Sequence, residues 1–198
     1  MYYIIYGPEG SGKGTQAKLL SDNLKIPVIT SGDLVREKAK EESDLGKICL
    51  SALKQGCYVA DDIMFKLWEE KLSKSRISRG FIVDGFPRTI LQAKFLLTTL
   101  EKFNLSVDKF IYLKLTDSEA RIRLLKRKRK LFKGSKISHD TTGRINKRLE
   151  VYRAMESKII DFFKKKNLLI EIDAQNPIEV VFRSIIEKID KSRQLPVK

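Results

Sequence analysis

Residues 7–15 read Gly-Pro-Glu-Gly-Ser-Gly-Lys-Gly-Thr, between the apolar run 2–6 (Tyr-Tyr-Ile-Ile-Tyr) and the helix-periodic segment 16–20 (Gln-Ala-Lys-Leu-Leu). An apolar strand, a glycine-rich turn and a helix start are the setting in which G-x-x-x-x-G-K acts as a phosphate loop. Glycines at 7, 10, 12 and 14 allow positive φ, so successive backbone N–H groups can converge on phosphate oxygens. The helix behind them adds unpaired amides and a positive dipole end. Lys13 supplies a mobile charge. The residue after Lys13 is Gly14 rather than Ser or Thr, and the hydroxyl arrives one place later, at Thr15.

A chain of 198 residues, 42% hydrophobic and 33% charged, has the size and composition of one soluble domain with a full core. Its apolar runs are too short to span a bilayer. The first residues already read as a core strand, which leaves no room for a secretion signal. Cys49 and Cys57 form no C-x-x-C pair and do not cluster with the single His139. That pattern fits a reducing, cytoplasmic setting without structural zinc or a disulfide framework. The net charge of +15 is concentrated: residues 121–148 hold twelve Lys/Arg against one acid, Asp140. Such a patch suits a site that closes over several phosphates, and it equally suits nucleic acid.

Beyond the first strand and helix, 26–29 reads as a short strand, with helices from Leu34 and over 45–55, the second ending at Gly56. Helical spacing over 61–74 makes Asp61 an N-cap candidate. A buried-type strand at 81–83 closes with Asp84-Gly85-Phe86-Pro87. A helix over 89–102, a strand over 109–115 and a long helix from Thr116 follow. The chain is again helical from Asp140 to about Lys166, then makes a strand over 168–172 and a last helix opened by Asn176-Pro177, with a frayed tail from Lys191. Strands alternating with helices predict an α/β fold, a five-stranded parallel sheet covered on both faces. No linker or repeat divides the chain. Residues 30–59 and 126–138 read as small excursions from a single 1–198 domain.

In a parallel sheet, ligands lie beyond the carboxyl ends of the strands. There the sequence places the phosphate loop, then Ser31, Asp33 and Arg36, then Asp84, Gly85, Arg88 and Gln92. Two arginines outside the loop suggest a second anion beside the first, since Arg favours bidentate phosphate contact.

The blocks 7–16, 31–36 (Ser-Gly-Asp-Leu-Val-Arg) and 84–92 (Asp-Gly-Phe-Pro-Arg-Thr-Ile-Leu-Gln) resemble the adenylate kinases of the nucleoside monophosphate kinase family. Weaker matches at 147–152 and 173–177 extend the likeness over nearly the whole chain. The resemblance implies a P-loop NTPase-type sheet and the Mg²⁺-dependent reaction ATP + AMP ⇌ 2 ADP, carried out by a monomer. Gly10, Ser11, Gly12, Lys13, Gly14 and Thr15 would hold ATP phosphates, with Arg123, Arg127 and Asn176 completing the ATP side. Ser31, Arg36, Gly85, Arg88, Gln92 and Arg148 would bind AMP, helped by backbone at Cys57, Tyr58 and Val59. Gln92 would read the adenine edge, since its amide both donates and accepts. Asp84 would orient Mg²⁺ through water. Lys13, Arg88, Arg123, Arg127 and Arg148 would be the catalytic set. Residues 30–59 would be the AMP-binding insertion and 126–138 a short lid, which lacks a four-cysteine set for zinc.

The lid departs from the family pattern: Ile137, His139 and Gly143 stand where an Arg, an Asp and a Glu are usual, with Lys136 or Arg144 as possible replacements for the arginine. Three alternatives stay open on sequence alone. They are a kinase for UMP or CMP, an enzyme weakened by its altered lid, and a nucleic-acid binder using the 121–148 patch.

Overall fold

A computed structural model describes residues 1–74, 79–127, 138 and 140–194 of the chain. The elements run β1 (Tyr2–Tyr6), α1 (Lys13–Leu24), β2 (Val28–Thr30), α2 (Ser31–Lys38), α3 (Asp44–Gln55), α4 (Asp61–Lys74), β3 (Phe81–Asp84), α5 (Ile90–Lys102), β4 (Lys109–Lys114), α6 (Asp117–Arg127), α7 (Thr142–Lys165), β5 (Leu169–Asp173) and α8 (Ile178–Gln194). The five strands form one sheet in the order β2-β3-β1-β4-β5. Every pairing is parallel, with Ile4 opposite Val83 on one side and Phe110 on the other.

Side-chain alternation along β1 explains the two layers. Ile4 and Tyr6 join Phe81, Val83, Phe110 and Tyr112 on one face, under Trp68 of α4, Leu96 of α5 and Phe163 of α7. Tyr3 and Ile5 join Ile82, Ile111 and Leu113 on the other, under Leu20 of α1 and Ile185 of α8. Burying a side chain of this size contributes about 1.5–3 kcal/mol. The central strands are apolar on both faces, as a sheet sandwiched between helices demands. Helix α7 serves both layers: Ile145 and Leu149 pack with the second, Ile159 and Phe163 with the first.

From β1 the chain crosses β3's place to reach β2, whereas from β3 it crosses β1 to reach β4. The sheet therefore changes winding direction between β1 and β3, and a crevice opens at their carboxyl ends.

Several boundaries differ from the sequence reading for identifiable reasons. Helix α2 starts at Ser31 rather than Leu34, because the Thr30 hydroxyl accepts from the Asp33 N–H at 2.9 Å and caps it. Asp61 lies inside α4 rather than capping it. Its carboxylate reaches across to α5, where Gln92 Nε2 donates to Oδ1 at 2.6 Å. Helix α8 runs to Gln194, past the point expected to fray, with Ile185 and Ile189 buried along it. The expected lid, with Lys136, Ile137 and His139, and five of the twelve bases of the 121–148 patch lie outside the described residues.

Candidate active site

The phosphate loop leaves β1 at Gly7, whose φ is +153°; a Cβ there would stand 2.6 Å from the Leu113 carbonyl oxygen. Gly10 (φ +91°) passes equally close to α6, where a Cβ would meet the Ala120 carbonyl at 3.0 Å. No side chain fits either place. Gly12 (φ +87°) takes the left-handed turn into α1 with no side-chain cap, so the first amides of α1 have no capping side chain in front of them. Gly14 corrects the sequence reading. It lies within α1 and has no positive φ. A Cβ on Gly14 would make only an ordinary contact, 3.7 Å from Asp84 Oδ2, and the first turn of α1 there faces the carboxylate that ends β3.

Lys13 folds back over the loop, and its ammonium donates to the carbonyls of Gly7 (2.7 Å) and Pro8 (2.9 Å). Burial of the ammonium pushes its pKa down to about 8, against the pull of Asp84 and Glu9. Burial likewise pushes the Asp84 carboxyl above the usual carboxylate range, opposed by Lys13 and Arg88. Each group is thus held in the less charged direction by its surroundings. An arriving phosphate or metal-bound water would reverse this by supplying the missing partner.

Across the crevice, Gly85 (φ +79°) turns its carbonyl inward. The Ser31 hydroxyl and Arg88 Nε both donate to it, each at 2.9 Å. This places β2's and β3's polar ends together. The Arg88 guanidinium lies 3.8 Å over the ring of Tyr58, in the connection between α3 and α4. Cys57 and Val59 flank Tyr58 there, with the Cys57 N–H donating to the Ala52 carbonyl. Arg36 is exposed and folded onto Asp33, Nη2 to Oδ1 at 2.7 Å. Gln92 is buried, and its amide is engaged on both sides: Oε1 accepts from the Arg88 N–H (2.7 Å), and Nε2 donates to Asp61. One lone pair and one amide hydrogen remain for a ligand.

The third wall comes from α6 and α7. Arg127 makes a two-pronged contact with Asp140, Nε to Oδ2 at 2.9 Å and Nη2 to Oδ1 at 3.0 Å. Arg148 Nη2 donates to the same Oδ1 at 3.0 Å, while its Nη1 pairs with Glu9 of the phosphate loop. Asp140 has no exposed side-chain surface. Arg144 offers Arg148 its backbone carbonyl, which accepts from Nε at 3.1 Å. At the outer edge, Arg123 pairs with Glu119 (2.7 Å) and reaches the Gln175 carbonyl (3.4 Å), beside Asn176 in the loop after β5. One cleft is lined by Gly7, Glu9, Lys13, Tyr58, Gly85, Arg88, Arg148 and Tyr152.

The structure thus gathers Lys13, Tyr58, Gly85, Arg88 and Arg148 around one space, with Ser31, Gln92 and Asp84 in contact with its walls. Arg36 on α2 and Arg123, whose Nη2 reaches the carbonyl just before Asn176, are not among the residues lining that cleft. Sequence reasoning missed the partners: Glu9, Asp61 and Asp140 were not read as members of the site. Asp140 had left a signal, being the sole acid among twelve bases.

With this geometry established, comparison with known proteins is direct. The family model described as adenylate kinase matches residues 5–168. The chain belongs to the adenylate kinase family. It is 38% identical over 186 residues to the adenylate kinase of Azobacteroides pseudotrichonymphae, covering 94% of this chain and 95% of that one. It is 39% identical over 191 residues to that of Tropheryma whipplei (96% and 98%). The adenylate kinase of the archaeon Methanocella arvoryzae is 34% identical over 214 residues (96% and 99%). Family membership accounts for the parallel sheet and the phosphate loop together. Among the described residues no helix is long and apolar enough to cross a membrane, and no three His, Cys, Asp or Glu side chains cluster as metal ligands do.

Proposed function

We propose that the chain catalyses ATP + AMP ⇌ 2 ADP, with ATP phosphates on the loop and AMP against the β2–β3 side. The observation that carries this reading is that two cationic anion sites, Lys13 with the α1 amides and Arg88 with Ser31 and Gly85, face each other across one cleft. A third cation, Arg148, lines the same cleft.

In this reading Gly10 to Thr15 cradle the donor phosphates, while Arg123 and Asn176 flank the donor base. Ser31, Arg36, Gly85, Arg88 and the 57–59 connection receive the acceptor, and the remaining valences of Gln92 meet its base edge. The attacking atom is a phosphate oxygen already deprotonated at neutral pH, so no general base is required. The work left is alignment, and neutralisation of the charge that spreads over the moving group. Lys13, Arg88, Arg127 and Arg148 supply that charge from three directions. Residues 30–59 and 126–138 act as the acceptor-side insertion and lid, and their closure excludes water as a competing acceptor. In this reading the enzyme works as a monomer. The two free thiols, Cys49 and Cys57, support action in the cytoplasm.

The chemistry of the donor set fits Mg²⁺. The ion takes most of its ligands from phosphate and water, so a single carboxylate aimed at the loop, Asp84 facing the open side of Gly14, is sufficient. When bound with nucleotide, Mg²⁺ screens the phosphate charge. Asp84's share is to hold the hydrated ion's water in register with the loop.

A coupled assay with ATP and a panel of nucleoside monophosphates tests the reading. AMP is the expected best acceptor. Faster turnover of UMP or CMP, or none of any acceptor, would overturn it.

A further inference from the structure

Glu9 is a carboxylate in a loop whose purpose is to collect anions. It lies at the tip of the loop, on the cleft side. Its Oε2 pairs with Arg148 and stands 3.9 Å from Arg127 Nη2, while its Oε1 accepts from the Tyr58 hydroxyl at 3.3 Å. That ring in turn carries the Arg88 guanidinium. One side chain therefore ties the loop to α6, to α7 and to the acceptor-side connection.

Asp140 touches the same two arginines but differs in kind. It is enclosed behind them, whereas Glu9, with about a quarter of its side chain exposed, lines the cleft. Phosphate entering the loop meets this carboxylate in front of the cations it needs. Like charges that share one set of partners exclude each other.

We propose that Glu9 is a surrogate anion: before nucleotides bind, its carboxylate holds Arg127, Arg148 and Tyr58 assembled over the loop, and it yields them to phosphate on binding. This rests on the nucleotide-kinase reading above. It makes Glu9 a positioning residue with a definite trade-off. The cations are kept in place and neutralised in the free enzyme, and every phosphate ligand, product included, binds less tightly than the cations alone would allow. Weaker retention of ADP favours its release.

The test compares wild type, E9Q and E9D in two measurements. The first is calorimetric binding of inorganic pyrophosphate, which has no base and so reads the loop alone. The second is steady-state kinetics with ATP and AMP. E9Q is expected to bind pyrophosphate roughly tenfold more tightly, the size of one released charge-assisted contact. Its KM for both nucleotides should fall by a similar factor, with kcat unchanged or lower. E9D keeps the charge and should stay near wild type in binding. Unchanged or weaker pyrophosphate binding by E9Q overturns the proposal, as does E9D behaving like E9Q. A KM that rises together with a falling kcat overturns it too, since Glu9 would then be supporting the bound state. Wild-type turnover of ATP with AMP, measured in the same series, reads the kinase assignment separately. Its absence would not alter the pyrophosphate result, and the converse holds.

Discussion

On the sheet side of the cleft, the polar groups hang from strand ends and helix starts. Lys13 is pinned to two loop carbonyls, Ser31 and Arg88 share the Gly85 carbonyl, and Gln92 is clamped between Arg88 and Asp61. On the helix side, Arg127 and Arg148 hang from α6 and α7 and owe their pose to two carboxylates, Glu9 and Asp140, from distant parts of the chain. The first wall is positioned by backbone that the sheet fixes. The second is positioned by charge. A wall held by backbone is ready whatever occupies the cleft. A wall held by charge can be re-addressed when a ligand brings charge of its own.

The sharpest way to break this comparison is at Lys13, where the backbone-held wall supplies the charge proposed to act in catalysis. Lys13→Ala should lower kcat by roughly 10³-fold or more, the scale of losing a preorganised charge at the transferring group. Melting temperature should hardly change, because removing the side chain opens space in the cleft for water to take over the carbonyls of Gly7 and Pro8. A drop in stability comparable with the loss of rate would show that the loop depends on this ammonium for its shape.

Asp140 probes the other wall. Its carboxylate is enclosed, Arg148 is nearly so, and Arg127 is 39% exposed. Asp140→Ala should therefore cost about 3 kcal/mol of stability. That is the lower end for breaking a buried pair, since solvent screens part of the Arg127 contact. Chemical denaturation measures it. The same variant should lower kcat without restoring itself at high phosphate, because the rear anchor of both arginines is gone. A change under 1 kcal/mol would mean that Glu9 and the Arg144 carbonyl hold the pair without Asp140.

These two walls differed equally in how far they could be read from sequence. The loop and the 84–92 block are local patterns, so their glycine turns, strand ends and cations follow from neighbours within a few residues. The fold was legible for the same reason: apolar strands alternating with amphipathic helices leave few topologies. Glu9–Arg148 and Gln92–Asp61 join residues 139 and 31 positions apart, and spacing carries no record of such pairs. Gly14 was misjudged in mechanism, because a glycine inside a helix looks the same in sequence as one that takes a positive φ in the turn before it. Gln92 was legible as a site residue but not as a brace. Gln92→Asn, one methylene shorter, should therefore disturb the Arg88 backbone as well as any base contact.

The pH response separates the walls again. With its pKa lowered to about 8 by burial, Lys13 loses its charge in the free enzyme as pH rises through that value. The kcat/KM for ATP should fall towards tenfold per unit above pH 8, whereas kcat holds to higher pH because bound phosphate restores the proton. The stability sign is the opposite. An unfolded Lys keeps its proton up to about 10.5, so between 8 and 10.5 the unfolded state binds more protons and native stability rises with pH. Comparing wild type with Lys13→Met isolates this contribution. An alkaline limb common to both proteins would assign it to another group.

The smallest effect is expected at Gly143, the second residue of α7, where the chain returns to the described core beside Asp140. It has no positive φ, and a Cβ would meet nothing within 4 Å. Nothing in the structure requires a glycine there. Gly143→Ala should raise stability by up to about 1 kcal/mol by restricting the unfolded chain, which is about 2–4 °C in melting temperature for a chain of this size. If kcat stays at the wild-type value, the charge-held wall does not draw its adaptability from this turn of helix, and the re-addressing of Arg127 and Arg148 is a matter of side-chain charge alone. If stability rises while kcat falls, the start of α7 must loosen during each turnover. The missing side chain at 143 would then be part of how that wall opens.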